Sequence, residues 1–125
     1  MKNVNILFVD DDEQIQDVFF KLLSLKYQRV YQAISGQTAI DLYLLNKDII
    51  DIVILDMTLG IGLDGYQVCK KLNEINPNVK IVICSGYSKS VNSIHELINN
   101  YGCKYLSKPI DNKTLYSIID NLPLF

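Results

Sequence analysis

The chain has 125 residues, 49% of them hydrophobic: enough for one domain with a real core and too few for two. Formal net charge is −2 and the sequence pI is about 5.2, which argues against nucleic acid as the direct partner, since phosphate backbones demand clustered Lys and Arg. No apolar stretch is long enough to span a bilayer, and Met1-Lys2-Asn3-Val4-Asn5 leads straight into a strand-like run with no signal-peptide pattern, so a cytoplasmic location with no membrane contact is expected.

Residues 4–9 read as a continuous apolar strand that discharges into Asp10-Asp11-Asp12-Glu13. From Asp12 to Lys26 the period changes: Ile15, Val18, Phe19, Leu22 and Leu23 share one helical face. Asp12 and Glu13 are expected to cap that helix and favour its positive end. Residues 29–33 form a second, weaker strand, and Ser35-Gly36 opens a helix with Ala39, Ile40, Tyr43 and Leu44 inward. The third strand, 52–55, is fully apolar and ends in Asp56. A glycine-rich loop, Gly60-Ile61-Gly62-Leu63-Asp64-Gly65, leads to a helix with Val68, Leu72 and Ile75 inward, ended by Asn76-Pro77. Strand four covers 79–84. The helix from about Ser90 turns Val91, Ile94, Leu97, Ile98 and Tyr101 inward, with Gly102 at its exit. A short fifth strand, 104–106, precedes Lys108-Pro109, and a last helix carries Leu115, Ile118, Ile119 and Leu122 on one side.

Five strand–helix units in strict alternation, with continuous apolar strands, predict a parallel sheet covered by helices on both faces. Right-handed crossovers leave few topologies. The flavodoxin-like doubly wound α/β fold, five strands in the order 2-1-3-4-5 with five helices, is the common one at this size. Ligands then bind beyond the carboxyl ends of the strands, where strands one and three flank the switch point. Asp10, Asp11 and Asp56 should converge there, with Ser85 after strand four and Lys108 after strand five close by.

Two unit charges about 4 Å apart repel by about 4 kcal/mol at an effective dielectric near 20. Such a cluster raises a pKa or recruits a cation. A hard cation with few protein oxygens and several waters describes Mg2+ better than Ca2+, which wants a fuller cage. With a phosphoryl donor beside that ion, Asp56 suits a carboxylate nucleophile that yields an aspartyl phosphate. Lys108 and the metal neutralise the phosphoryl oxygens and Ser85 donates a hydrogen bond; phosphoryl transfer needs little more than such positioning.

These pieces together resemble the response-regulator receiver domain of two-component phosphorelay signalling, the CheY-like family, over essentially the whole length, as one domain at 1–125. They are Asp10-Asp11 after strand one, Asp56 after strand three, Ser85-Gly86 after strand four and Lys108-Pro109 after strand five. The resemblance implies Asp56 as phospho-acceptor. It implies Asp11, Asp56 and the Thr58 backbone carbonyl as ligands of Mg2+, or Mn2+ in its place, with Asp10 assisting through water. It implies Lys108 as the phosphate-pairing lysine before a cis Pro109, Ser85 as switch hydroxyl and Tyr105 as switch aromatic. The phosphodonor is then a histidine kinase or phosphotransfer protein, and the receiver catalyses only its own phosphorylation and dephosphorylation. Thr58 and Tyr87 lie where receivers expose residues that govern attack of water on the phosphoryl group.

The same resemblance places the output on a face of helix four, strand five and helix five, here with Lys89, Asn92, His95, Glu96, Lys104 and Asn112, in a monomer or a phosphorylation-dependent homodimer. No output domain is expected after Pro123-Leu124-Phe125, so output passes through a partner or a parent protein. One segment departs from the family pattern. Gly60 stands where most receivers have proline, and Asp64-Gly65 comes one residue late, which predicts a longer, more flexible loop. That loop, Thr58 and Ser85-Gly86-Tyr87-Ser88 are similar to receivers attached to hybrid sensor kinases.

Two enzyme-like alternatives share the fold class. A flavodoxin-like FMN binder needs a hydroxyl- and amide-rich phosphate cradle after strand one, where this chain is acidic. An aspartate-nucleophile phosphatase of the haloacid-dehalogenase type wants a second Asp two residues after the nucleophile, where Thr58 stands. Cys69, Cys84 and Cys103 are odd in number, widely spaced and form no CxxC pair, so they are expected as reduced, packed apolar residues. His95, the one histidine, is expected on an exposed helix side without partners.

Overall fold

The structure, a computed structural model, describes residues 2–88 and 91–123. Five strands alternate with five helices: β1 (Lys2–Val9), α1 (Glu13–Ser24), β2 (Tyr27–Ala33), α2 (Gly36–Asn46), β3 (Ile52–Asp56), α3 (Gly65–Ile75), β4 (Lys80–Ser85), α4 (Asn92–Tyr101), β5 (Lys104–Ser107) and α5 (Asn112–Asn121). The strands pair in parallel in the order β2-β1-β3-β4-β5. This is the doubly wound, flavodoxin-like architecture expected from the alternation.

Strand parity builds the two core layers, because successive side chains leave a strand on opposite faces. Leu7, Val9, Val53, Leu55, Ile81 and Ile83 pack with α2, α3 and α4 through Tyr43, Leu72 and Leu97. Ile6, Phe8, Ile52, Ile54, Val82 and Leu106 pack on the other side with α1 and α5 through Phe19, Leu23, Leu115 and Ile119. The same parity positions the site. Val9 pairs with Leu55, so Asp10 and Asp56 continue the α1–α5 face side by side at the carboxyl edge.

Helix starts follow local chemistry. Asp12 caps α1 by accepting from the Gln14 and Ile15 amides, as expected, and Ser35 caps α2. Asp64 caps α3 in a reciprocal box with Gln67, so the extra loop residue is absorbed before the helix, where Gly62 takes a left-handed φ of 94°. Several expected boundaries move. β1 and β2 begin two residues earlier than their apolar runs, since Lys2 pairs with Tyr27 ahead of a register shift that precedes the Asn5–Arg29 pair. β4 runs one residue later at each end, through Ser85, and β5 reaches Ser107. Ser90 and Lys89 lie outside the described residues.

Three apolar residues expected inward are exposed: Val18, Leu44 and Val91. The buried stripe of α1 runs through Gln16, Phe19 and Leu23, which leaves Val18 on its flank. Leu44 lies a third of a turn past buried Tyr43, and Val91 is the cap of α4 rather than part of it. His95 is exposed as expected, but it has a partner: its Nε2 is 2.9 Å from the Asn99 side-chain nitrogen, one turn on.

Gly65 is where the fold constrains the site most tightly. A Cβ there would lie 2.6 Å from the Met57 Cα and 2.8 Å from the Asp56 carbonyl oxygen, both backbone atoms. Helix α3 therefore starts directly against the strand end that carries Asp56. Gly65→Ala is expected to destabilise the protein by about 1–3 kcal/mol through this overpacking. Urea denaturation reads the loss, and an unchanged midpoint would contradict the close approach.

Candidate functional site

The carboxyl edge of the sheet opens into a cavity of about 600 Å3. Its polar wall is Asp10, Asp11, Asp12, Asp56, Thr58 and Lys108, and its apolar wall includes Ile15, Phe19 and Ile110. One oxygen from each of Asp10, Asp11 and Asp56 fits within 4.8 Å of the others. Asp10 and Asp56 are buried and Asp11 is exposed. The three acids anticipated from the strand ends are thus together.

Lys108 arrives from beyond β5, three strands across the sheet from β1 and Asp10. Its amide donates to the Ser85 carbonyl at 2.8 Å, which ties the chain beyond β5 to the end of β4. The Lys108–Pro109 peptide is cis, as the resemblance implied. Lys108 Nζ then meets Asp56 Oδ1 at 2.5 Å and lies 3.3 Å from the Thr58 hydroxyl. The same Oδ1 accepts from the Thr58 amide and hydroxyl, both at 3.0 Å. Among the described residues this leaves the second Asp56 oxygen without a hydrogen-bond partner.

The electrostatics are unbalanced. One lysine faces three carboxylates, so pairing Asp56 does not neutralise the cluster. Burial pushes the Asp10 carboxyl up to about 6, assisted by the charges of Asp56 and Asp11; an Asp12 amide at 2.9 Å and Lys108 oppose it only in part. Burial pulls the Lys108 ammonium down, but its bond to Asp56 and the surrounding acids outweigh that and hold it above its ordinary value. Hard carboxylate oxygens, few in number and short of positive charge, fit a divalent cation such as Mg2+ that keeps several waters.

Gly60 now has a structural meaning. A Cβ at this position would stand 3.0 Å from Asp11 Oδ2, so the loop backbone passes directly over one of the acids. The departure from the family's proline thus falls where the loop meets the acidic cluster.

Two expected residues stand apart from the cavity. Ser85 is fully buried, on the odd parity of β4 and hence on the α3–α4 side, with its hydroxyl accepting from the Tyr87 amide at 2.9 Å. The Tyr105 hydroxyl donates to the Tyr87 carbonyl. One exposed loop residue therefore receives both Ser85 and Tyr105. On the anticipated output face, Asn92, His95 and Lys104 are exposed, whereas Glu96 accepts from the Tyr66 hydroxyl and faces α3 instead.

Gln16 is the residue that sequence reasoning missed. Its buried amide nitrogen lies within hydrogen-bond distance of the Phe8, Asp10 and Ala33 carbonyls at 3.2, 2.9 and 2.8 Å, and its oxygen accepts from Gln32. Strand ends β1 and β2 are thereby joined under the acidic turn, and the Asp10 backbone is fixed. Its signal was a lone polar residue inside the inward stripe of α1.

Comparison with known proteins agrees with this geometry. A family model for the response regulator receiver domain matches residues 6–120. Sporulation initiation phosphotransferase F of Bacillus subtilis is 29% identical over 111 residues, covering 89% of this chain and 86% of that protein. Response regulator PleD of Caulobacter vibrioides is 30% identical over 125 residues, but the chain spans only 27% of its length. Among solved structures, the receiver domain of the hybrid histidine kinase CckA is 30% identical with a TM-score of 0.75, covering 93% of this chain and 95% of that one.

The raised Asp10 carboxyl gives a signed prediction for metal-free protein. Its folded pKa of about 6 lies above the ordinary 3.8, so ionised Asp10 costs stability. That cost is absent below about pH 4, grows through pH 4–6 and is complete above. Asp10→Asn is expected to raise the unfolding free energy by about 1–3 kcal/mol at pH 7.5 in chelator, with the gain vanishing near pH 3.5. Denaturant melts at the two pH values check it, and a gain that does not change with pH would contradict the crowding.

Proposed function

The chain belongs to the response regulator receiver domain family, the phospho-accepting modules of two-component signalling, and from that premise we propose that Asp56 is the residue that takes the phosphoryl group. The observation that carries the proposal is the convergence of Asp10, Asp11 and Asp56 oxygens within 4.8 Å, with Lys108 seated on Asp56. We read residues 1–125 as one such domain.

A carboxylate oxygen of Asp56 attacks the phosphorus of a phosphohistidine on a kinase or phosphotransfer protein, and the phosphorus–nitrogen bond breaks. Asp56 is buried at a fixed strand end, so its approach is aligned before the donor arrives. Lys108 supplies a positive charge at the acceptor, and Thr58 orients the oxygen that Lys108 also holds. Mg2+, which Asp10, Asp11, Asp56 and the Thr58 carbonyl would hold, supplies charge neutralisation for the phosphoryl oxygens when bound; Mn2+ has the same hard-oxygen preference. The apolar wall of Ile15, Phe19 and Ile110 gives the donor a surface to seat on beside the acid.

Signalling then depends on the residues outside the cavity. When the Ser85 hydroxyl turns to a phosphoryl oxygen, its contact with the Tyr87 amide is disturbed, and Tyr87 also holds Tyr105. Movement at Ser85 therefore reaches Tyr105 through one loop residue, and the face of α4, β5 and α5 changes population. Moving such a surface from mostly off to mostly on takes about 5 kcal/mol of differential binding. The downstream partner is a protein, the location cytoplasmic and the assembly a monomer or a phosphorylation-dependent homodimer. The module acts on its own aspartate and does not turn over a separate substrate. A place within a hybrid sensor kinase is a second reading, supported by the Thr58 and Ser85-Gly86-Tyr87 pattern and the likeness to the CckA receiver.

Incubation with Mg2+ and acetyl phosphate is expected to give one acid-stable, base-labile phosphoryl group per chain and none on Asp56→Asn. Label retained by Asp56→Asn would move the acceptor elsewhere. Turnover of a phosphate ester in excess over protein would contradict the absence of a separate substrate.

A further inference from the structure

The three cysteines are not equivalent in space. Cys84 lies on the α1–α5 side of the sheet, buried within β4. Cys69 on α3 and Cys103, just before β5, share the opposite layer, although 34 residues separate them. Their Sγ atoms are 3.3 Å apart, in contact and with a hydrogen between them.

We propose that Cys69 and Cys103 form an oxidisable dithiol, a modification site that closes to a disulfide when a hydroperoxide reaches it. Cys69 is completely buried, but Cys103 lines a surface cavity of about 370 Å3 with Ile98, Gly102, Lys104, Tyr105 and Ile118. The oxidant therefore meets Cys103 first. The hydrogen bond between the two sulfurs opposes the effect of burial at Cys103 and adds to it at Cys69. Cys103 is therefore the sulfur placed to react, because it is the one that faces the cavity.

The chemistry balances with one equivalent of hydrogen peroxide. The Cys103 thiolate attacks a peroxide oxygen, the oxygen–oxygen bond breaks, and hydroxide leaves with a proton as water, which gives a sulfenic acid. The Cys69 sulfur, losing its proton, then attacks the Cys103 sulfur. The sulfur–oxygen bond breaks and a second water leaves. Two thiols are oxidised by two electrons, and one peroxide is reduced to two waters. A disulfide requires the sulfurs to close by a further ~1.2 Å. Cys103 can supply that movement because it sits in the joint between α4 and β5, next to left-handed Gly102, and not inside a strand. Cys84 takes no part: the sheet stands between it and the pair, and burial, then the charge of Asp56, pushes its thiol up to about 12.

Graded hydrogen peroxide added to the folded full chain, followed by denaturing alkylation and mass spectrometry, tests this without reference to phosphorylation. The expected product has lost two hydrogens, alkylates only Cys84, yields a proteolytic link between the peptides of Cys69 and Cys103, and is restored by dithiothreitol. In Cys69→Ser, dimedone should trap a sulfenic acid on Cys103. Three alkylated thiols after treatment, a link through Cys84, or sulfinic acid on Cys103 of the wild type in place of the link would each overturn the proposal. The wild-type mass alone decides if the variant fails to fold.

Discussion

Repulsion among three carboxylates is the constraint on which the rest of this structure depends. The fold places Asp10 and Asp56 on adjacent parallel strands at the same height, and Asp11 immediately beyond. Among the described residues Lys108 alone is bonded to these acids, so the surrounding contacts act to contain the field. Lys108 and Thr58 share one oxygen of Asp56, the Asp12 amide holds Asp10, and Gln16 fixes the backbone beneath. The arrangement is costly alone and favourable with added positive charge, which is what a site dependent on a cation requires.

The containment has a directional design. Every hydrogen bond described for the Asp56 carboxylate falls on one oxygen. Lys108 reaches it because its own amide is anchored on the Ser85 carbonyl, at the end of the neighbouring strand. The Tyr87 amide donates to the Ser85 hydroxyl and the Tyr87 carbonyl accepts from the Tyr105 hydroxyl, so one residue bonds both side chains.

The topology and the central acids were legible in the sequence because each rests on a strong, local signal. Strict alternation of apolar strands with amphipathic helices predicts the strand order, and a carboxylate after an apolar run predicts the edge at which it emerges. Contacts and packed neighbours account for what spacing alone does not carry. Ser85 closes β4, one residue beyond the Cys84 that pairs with Asp56, and its hydroxyl accepts from the Tyr87 amide, a contact that spacing between motifs does not carry. Val18 and Leu44 are apolar at helical spacing but lie on the flanks of their stripes, where only the packed neighbours decide exposure. Gln16 was hidden for the converse reason. A polar residue in an inward position reads as noise until three carbonyls are seen to converge on it. The thiol contact across 34 residues is long-range geometry and had no sequence signal.

An open five-stranded sheet has two unpaired borders, β2 and β5. Such borders invite strand addition by other chains unless they are blunted. Here β5 is four residues long with exposed Lys104 and Ser107 at its ends, and β2 presents exposed Gln28, Arg29 and Gln32. Both margins thus discourage edge-to-edge pairing and fibrous growth. Recognition by other molecules is thereby directed to helices and loops, which can change shape and let go, and away from a backbone ladder that would bind persistently.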